Sequence, residues 1–468
     1  AIGSNSVGRN GGNITLTSRG NISTGNLTAT GGAGEENTST SPDTNFTGGT
    51  GGTIQITSTG ANSVVRVAQI TANGGDASAR SGGTRVNGGD AGSVSISANV
   101  TGAYIELNQS LNLVGGNGIE GGNQGNGGAV TLTGPVVLTN NVAINSLGTT
   151  RGNISFTSTV NSDAIAARAL TLDGRDVTFS GAVGNTSRLG NLQITATRDV
   201  SAGTNAITAN SLDVTQSTSF TSGAINTSST TAAGGTVDIT SSGAVSTAGI
   251  TTSGSTNGGA VTVAQSSSFT SGAIDTSGTT ADGGNVTVQS SGAVGVGNIN
   301  TSSADMNGGN VDIRSTGVGS LGGVTLGSIT SRTLRTIIQN PDGSSPSSGG
   351  AVTIRGGQII LNGDIDARDD AFSATSRIAD LRLTSAGSVT INHTTNFTSP
   401  INITGSGGTD TLIAANRPNA WVIDSVGTGY TGRLNEDGAL GTRIRFFGFE
   451  NLTGGNLADS INLSVMPT

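Results

Sequence analysis

Residues 234–253 read GGTVDITSSGAVSTAGITTS, and the pattern returns as GGAVTVAQSSSFTSGAIDTS at 258–277, GGNVTVQSSGAVGVGNINTS at 283–302 and GGNVDIRSTG at 308–317. The Gly-Gly pairs are spaced by 24, 25 and 25 residues. A longer period overlies this one, because QSTSFTSGAINTSSTTA from 216 recurs as QSSSFTSGAIDTSGTTA from 265. A fixed period of this length marks a repeat architecture, in which each unit buries its apolar face only against its neighbours.

Inside the unit, apolar residues occupy fixed columns. Val237, Val261, Val286 and Val311 form the first, and Ile239, Val263, Val288 and Ile313 the second. Val245, Phe269 and Val294 form a third, and Ile250, Ile274 and Ile299 a fourth. One polar residue separates the first two columns, which is the alternation of a half-buried strand, and no helical period competes with it. Three short strands per repeat of about 25 residues, punctuated by glycines able to turn at positive φ, describe one coil of a β-solenoid. Each column then stacks one like residue per coil, with Ser, Thr, Asn and Gly at the outward positions and turns.

Composition alone points the other way. The 468 residues include 78 Gly, only 3% aromatic and 11% charged side chains, a profile typical of disorder. Because backbone groups pair between coils, a coil needs only a few inward Val, Ile, Leu or Phe, so the columns reconcile this composition with an ordered fold.

Composition also removes chemistry. There is no Cys and no Lys, all 21 basic residues are Arg, and His393 is the single histidine. Disulfides, thiolate catalysis, multi-histidine metal sites, Schiff bases and a phosphate-loop lysine are thereby excluded. The net charge of −8 disfavours nucleic acid and anionic membrane as partners. No apolar run is long enough to span a bilayer. A start at Ala1, with no basic-then-apolar leader, suggests a processed product or an excerpt of a longer protein.

The unit continues beyond the regular centre, in GGNITLTSRG from 11, GGTIQITSTG from 51, AGSVSISANV from 91, GGAVTLTGPV from 127, RGNISFTSTV from 151, LGNLQITATR from 189 and GGAVTIRGGQ from 349. The wider spacing there comes from insertions just before the Gly-Gly, as in 28–50, 71–90, 114–128 and 339–350. Insertions at one phase project from one edge, the usual place for variable recognition loops. With about 4.8 Å of rise per coil, the chain predicts roughly 16 to 18 coils and a rod about 80 Å long.

Units that run Gly-Gly-Asn-Val-Thr-Val or Gly-Gly-Thr-Val-Asp-Ile, followed by Ser/Thr-rich turns and Gly-x-Ile-x-Thr-Ser, resemble the repeats of filamentous-haemagglutinin-like exoproteins, over most of residues 10–395. The resemblance implies a right-handed parallel β-helix and a secreted adhesin or surface fibre, extracellular or on the outer surface of a Gram-negative-type bacterium. It implies export through an outer-membrane transporter. The Asn-Pro-Asn secretion domain of the two-partner-secretion members is absent from this sequence.

Residues 1–394 are read as the solenoid and 395–468 as a C-terminal module that continues or caps it. Trp421, Tyr430, Phe446, Phe447 and Phe449 gather in this module. It looks like the tail that ends β-helical regions of giant surface proteins, and large apolar side chains there can close an open core. Two stretches ending in Asp410 and Asp459 approximate the Gly-Gly-x-Gly-x-Asp turn of calcium-binding β-rolls. They lie 49 residues apart and each departs from the motif at one Gly, so calcium is the only candidate cofactor and these two aspartates its candidate ligands. Asp366, Asp369 and Asp370 form the best carboxylate cluster, read as a solvated turn. β-Helical polysaccharide hydrolases and lyases are the rival class, yet the Gly-His-Gly and Arg-x-Lys segments of pectin-cleaving enzymes are missing. Thr-x-Thr pairs at outward positions, such as Thr15-Thr17 and Thr131-Thr133, raise an ice-binding solenoid, but an ice face needs Thr in register on successive coils, and the aligned pairs Asp238-Thr240, Thr262-Ala264, Thr287-Gln289 and Asp312-Arg314 are not a ladder. The sequence is therefore read as a non-catalytic fibre whose partners are cell-surface glycans or proteins, or further copies of itself end to end.

Overall fold

The structure, a computed structural model, describes residues 8–34, 45–79, 85–317, 322–331, 352–356, 358–362, 365–366, 381–385, 388–391, 401–405, 410–414, 418–427, 429–436, 443–454 and 457–463. Among these residues the secondary structure is all β, with no α-helix, and most strands join one large parallel sheet in an order compatible with a β-solenoid. Among the described residues no helix is long and apolar enough to cross a membrane. The chain divides into two compact units, Ala1–Gly223 and Ala224–Thr468.

In the second unit the four columns read from sequence are the register of the ladder. Val237, Val261, Val286, Val311, Val352 and Leu381 pair in succession, as do Val245, Phe269, Val294, Val324, Ile359 and Val389. A third strand stacks Ile250, Ile274, Ile299, Ile329 and Ile365. Stacking apolar residues, most of them β-branched, rung on rung buries them, and Val261, Val286 and Ile274 are at most 1% exposed. Burial of that kind is the main favourable term in the core.

The first unit has the same construction. One column runs Ile14, Ile54, Val94, Val130, Ile154, Val177, Val200, Phe220, and another Leu27, Ile70, Leu111, Ile144, Leu172, Ile194, Val214. In the first of these stacks the adjoining column places Phe156 on Phe179, rings parallel within 11° and 5.0 Å apart.

Three expectations need correction. LGNLQITATR from 189 does not continue the column of RGNISFTSTV, because Leu192 and Ile194 pair with Leu170 and Leu172, whereas Ile154 and Phe156 pair with Val177 and Phe179. The strands of both columns show the same apolar alternation, so the pattern alone does not say which column a strand joins. Among the described residues, the glycines that open the repeats do not turn at positive φ. They are required for closeness: a Cβ on Gly259 would strike the Gly235 carbonyl, one on Gly284 that of Gly259, and one on Gly309 that of Gly284. Nor are the hydroxyl side chains all outward. Thr227, Thr252, Thr276, Thr301 and Ser331 are buried, at 1% exposure or less, and form a polar column inside the core.

Beyond residue 400 the parallel order breaks. Asn419–Val426 runs antiparallel to Tyr430–Glu436, which runs antiparallel to Arg443–Phe449, and the last of these rejoins the parallel ladder beside Ile401–Gly405. Trp421, Phe446 and Phe449 are buried, and Trp421 meets Phe446 edge to face at 5.8 Å. Tyr430 is half-buried and Phe447 points outward.

Candidate functional site

The turns around each Gly-Gly are the most regular polar feature of the surface. On their inner side the buried hydroxyl column holds them. Thr227, Thr252, Thr276 and Thr301 donate to the carbonyls of Gly235, Gly259, Gly284 and Gly309 at 2.5–2.7 Å. A buried polar group without a partner is costly, and here each donor and each turn carbonyl satisfies the other.

On the outer side the flanking Asn and Asp extend the ladder where the strand ends. The N–H of Val286 donates to the carbonyl of Asn310, and the N–H of Asn310 donates back to Asn285 Oδ1 at 2.8 Å. Gly283 and Asn307 make the same two-bond ring with Asp282 Oδ1, which also accepts from Asn307 Nδ2 at 3.1 Å. In the first unit Asn10, Asn13, Asn73, Asp76, Asn87, Asp90 and Asn126 repeat the arrangement. A side-chain oxygen thus takes the place of a backbone carbonyl, which lets the parallel pairing pass through the turn.

Three successive turns of the second unit line a groove of about 500 Å³. Asn257, Asp282, Asn285, Asn307 and Asn310 line it together with Ala260 and the glycines between them. Amide and carboxylate groups therefore recur once per repeat, about 4.8 Å apart. Such an array can exchange hydrogen bonds with a hydroxyl-rich polymer whose own units recur along the groove.

The described parts of the inserted segments in the first unit are not free loops. Gly32 donates to Arg9, Gly49 to Gly32, Gly75 to Gly49, Gly89 to Gly75, Gly116 to Gly89 and Gly125 to Gly116, all through the main chain at 2.6–2.9 Å. Outgoing and returning glycine segments alternate in this stack, and a Cβ at Gly49, Gly75, Gly89, Gly116 or Gly125 would collide with a carbonyl. Phe46 and Val86, in the same segments, are buried. The residues at 35–44, 80–84 and 339–350 lie outside the described set.

Charge is arranged in local pairs. Arg168 grips Asp163 with two hydrogen bonds, at 2.8 and 3.2 Å, and this guanidinium holds the Asp163 carboxyl below its usual range. Asp173 is paired with Arg151 at 2.7 Å, yet burial outweighs the arginine and raises its pKa. Arg198 reaches Asp176 in the preceding repeat at 2.9 Å, beside Arg175 at 3.4 Å.

The two candidate calcium ligands belong to separate hydrogen-bond sets. Asp410 is 1% exposed, its N–H donates to Glu450 Oε2 at 2.8 Å and its carbonyl accepts from Asn451. Asp459 Oδ1 accepts from the backbone N–H and the Nδ2 of Asn419, at 2.8 and 2.9 Å. Among the described residues no group of three or more His, Cys, Asp or Glu is placed to hold a metal ion. Asp369, Asp370 and His393 lie outside the described residues, and Asp366 is described only as part of the strand Ile365–Asp366.

Sequence reasoning missed the buried Thr column and the Asn/Asp rings. Both had a signal, a Thr two residues after each fourth-column Ile and an Asn or Asp beside the Gly-Gly, in Asn257, Asp282, Asn285, Asn307 and Asn310. One further array was visible in the sequence only in part, through Thr15-Thr17 and Thr131-Thr133. The outward pairs of the first unit, Thr15/Thr17, Gln55/Thr57, Ser95/Ser97 and Thr131/Thr133, are in register and bear a hydroxyl at all but one position. No protein-family model matches the chain, no curated protein matches it, and no solved structure matches it.

Proposed function

We propose that this chain is a secreted or cell-surface fibre protein of the filamentous-haemagglutinin-like kind, acting as scaffold and adhesin and not as a catalyst. In this reading the parallel ladder is a right-handed β-helix with three short strands per coil of about 25 residues, exported through an outer-membrane transporter of a Gram-negative-type bacterium. The observation that carries it is the turn groove: Asn and Asp residues that recur once per repeat beside glycines, on a backbone whose pairing is continued by side chains of Asp282 and Asn285. Its partners are cell-surface glycans or proteins, met through hydrogen bonds from amides and carboxylates. One candidate carboxylate fits a structural role, since Asp459 Oδ1 is engaged with the backbone N–H and the Nδ2 of Asn419.

The test is an array of surface glycans probed with the whole chain and with Asn285→Trp, which places a large side chain in the lining of the groove. Binding lost in the variant supports the adhesin. Unchanged binding in the variant removes the groove from it, and electron microscopy of the native surface then separates single fibres from a repeating polymer of end-to-end subunits. Absence of the protein from the cell surface would sink both forms. Release of unsaturated or reducing ends from acidic polysaccharides with calcium would overturn the non-catalytic reading.

A further inference from the structure

Eight Asn-Gly dipeptides occur in the chain, at Asn10, Asn73, Asn87, Asn117, Asn126, Asn257, Asn307 and Asn362. In this dipeptide the glycine nitrogen, once deprotonated, attacks the asparagine Cγ. The new C–N bond closes a succinimide and the side-chain nitrogen leaves as ammonia with the displaced proton. One water then opens the ring to aspartate or isoaspartate. The reaction needs a free glycine N–H and a side-chain carbonyl able to turn towards it.

Four of the pairs lack both freedoms. Gly11, Gly74, Gly88 and Gly127 donate their N–H groups to Thr50, Val114, Asn123 and Thr150 at 2.7–3.0 Å. The same four partners donate back to Oδ1 of Asn10, Asn73, Asn87 and Asn126 at 2.9–3.2 Å. Nucleophile and electrophile are thus each fastened to the neighbouring repeat. Asn117 differs. Its own N–H donates to Asp76 Oδ1 at 2.7 Å and its carbonyl accepts from Ala77, so the main chain is anchored on one side. Its exposed side chain and the N–H of Gly118 take no hydrogen-bond partner among the described residues. The next residues turn tightly, with Glu120 and Gly121 at φ of 49° and 77° and Gly122 bonded back to Ile119 at 2.8 Å.

We infer that Asn117 is a self-modification site of the folded molecule, converting to aspartate or isoaspartate with water as co-reactant, while the two-bond rings keep Asn10, Asn73, Asn87 and Asn126 intact. The product sets a new carboxylate next to Asp76, whose side chain holds the Asn117 N–H, so like charges oppose that contact. Reaction at a ring-held pair requires the repeat to open first, at a free-energy cost that slows it.

The whole chain, incubated at mildly alkaline pH either folded or in urea, is digested and the rate of deamidation read at each Asn-Gly by mass spectrometry. The expected result is a folded-to-unfolded rate ratio close to one at Asn117 and rates at least about ten-fold slower in the folded chain at the four ring-held pairs. Protection at Asn117 as strong as at those four, or no protection at any of them, overturns the inference.

Discussion

Thr252, Thr276 and Thr301 lie wholly inside the protein, and each hydroxyl reaches the second glycine of the next Gly-Gly. Removing the donor while keeping the shape isolates its worth. Thr276→Val should leave the Gly284 carbonyl unsatisfied and lower stability to urea by about 1–3 kcal/mol, whereas Thr276→Ser should lose less. The neighbouring glycines make a second, sharper contrast. Gly259→Ala forces a Cβ onto the Gly235 carbonyl and should cost at least about 2 kcal/mol. Gly295 has nothing within 4 Å of the position a Cβ would take, so Gly295→Ala should be neutral or slightly stabilising in the same urea titration.

Among the elements, the segment Asp163–Arg168 shows how a loop is fixed by one carboxylate. Asp163 accepts from both Arg168 and the N–H of Ala166, and Arg168 is further held by Ser162 Oγ. The loop presents Ile165 at 87% exposure. Because the Asp163 pKa is lowered in the folded chain, its contribution is present above the unfolded carboxylate value and is lost as pH falls through the lower folded one. A carboxyl NMR titration should place the Asp163 midpoint below the ordinary aspartate range, and Arg168→Ala should move it back upward.

Elements also show what could be read from residues alone. The columns of the second unit were legible because a few apolar types recur at constant spacing. The strand assignment of Leu189–Ala196 was not, since apolar alternation is common to the strands of both columns and its partners, Leu170 and Leu172, precede it by only 22 residues. The positions of Asn and Asp beside the Gly-Gly were visible, but their role depends on the backbone of the following repeat, and no local pattern reports that. The antiparallel run Asn419–Phe449 was legible only as a change of texture, through its aromatics. Trp421 is the single tryptophan and is 2% exposed, so its fluorescence should be blue-shifted in the native chain and should report unfolding of this module.

At the scale of the whole molecule, a chain with 78 glycines and few aromatics folds because one physical device is repeated. Identical backbone ladders stack inward Val and Ile, glycines allow main chains to touch, and Thr, Asn and Asp satisfy the turns on either side. The groove, the protected Asn-Gly pairs and the proposed adhesive surface all rest on that register. The natural absence of cysteine makes it directly measurable. Thr262 and Thr287 are register partners on the outward face, about 4.8 Å apart between Cα atoms, inside the range a disulfide spans. With Thr262→Cys and Thr287→Cys introduced together, mild oxidation should give a near-complete intramolecular disulfide. Moving the second cysteine two residues on, to Gln289→Cys, should give little. Failure of the 262/287 pair to cross-link, or equal cross-linking of both pairs, would contradict the parallel register.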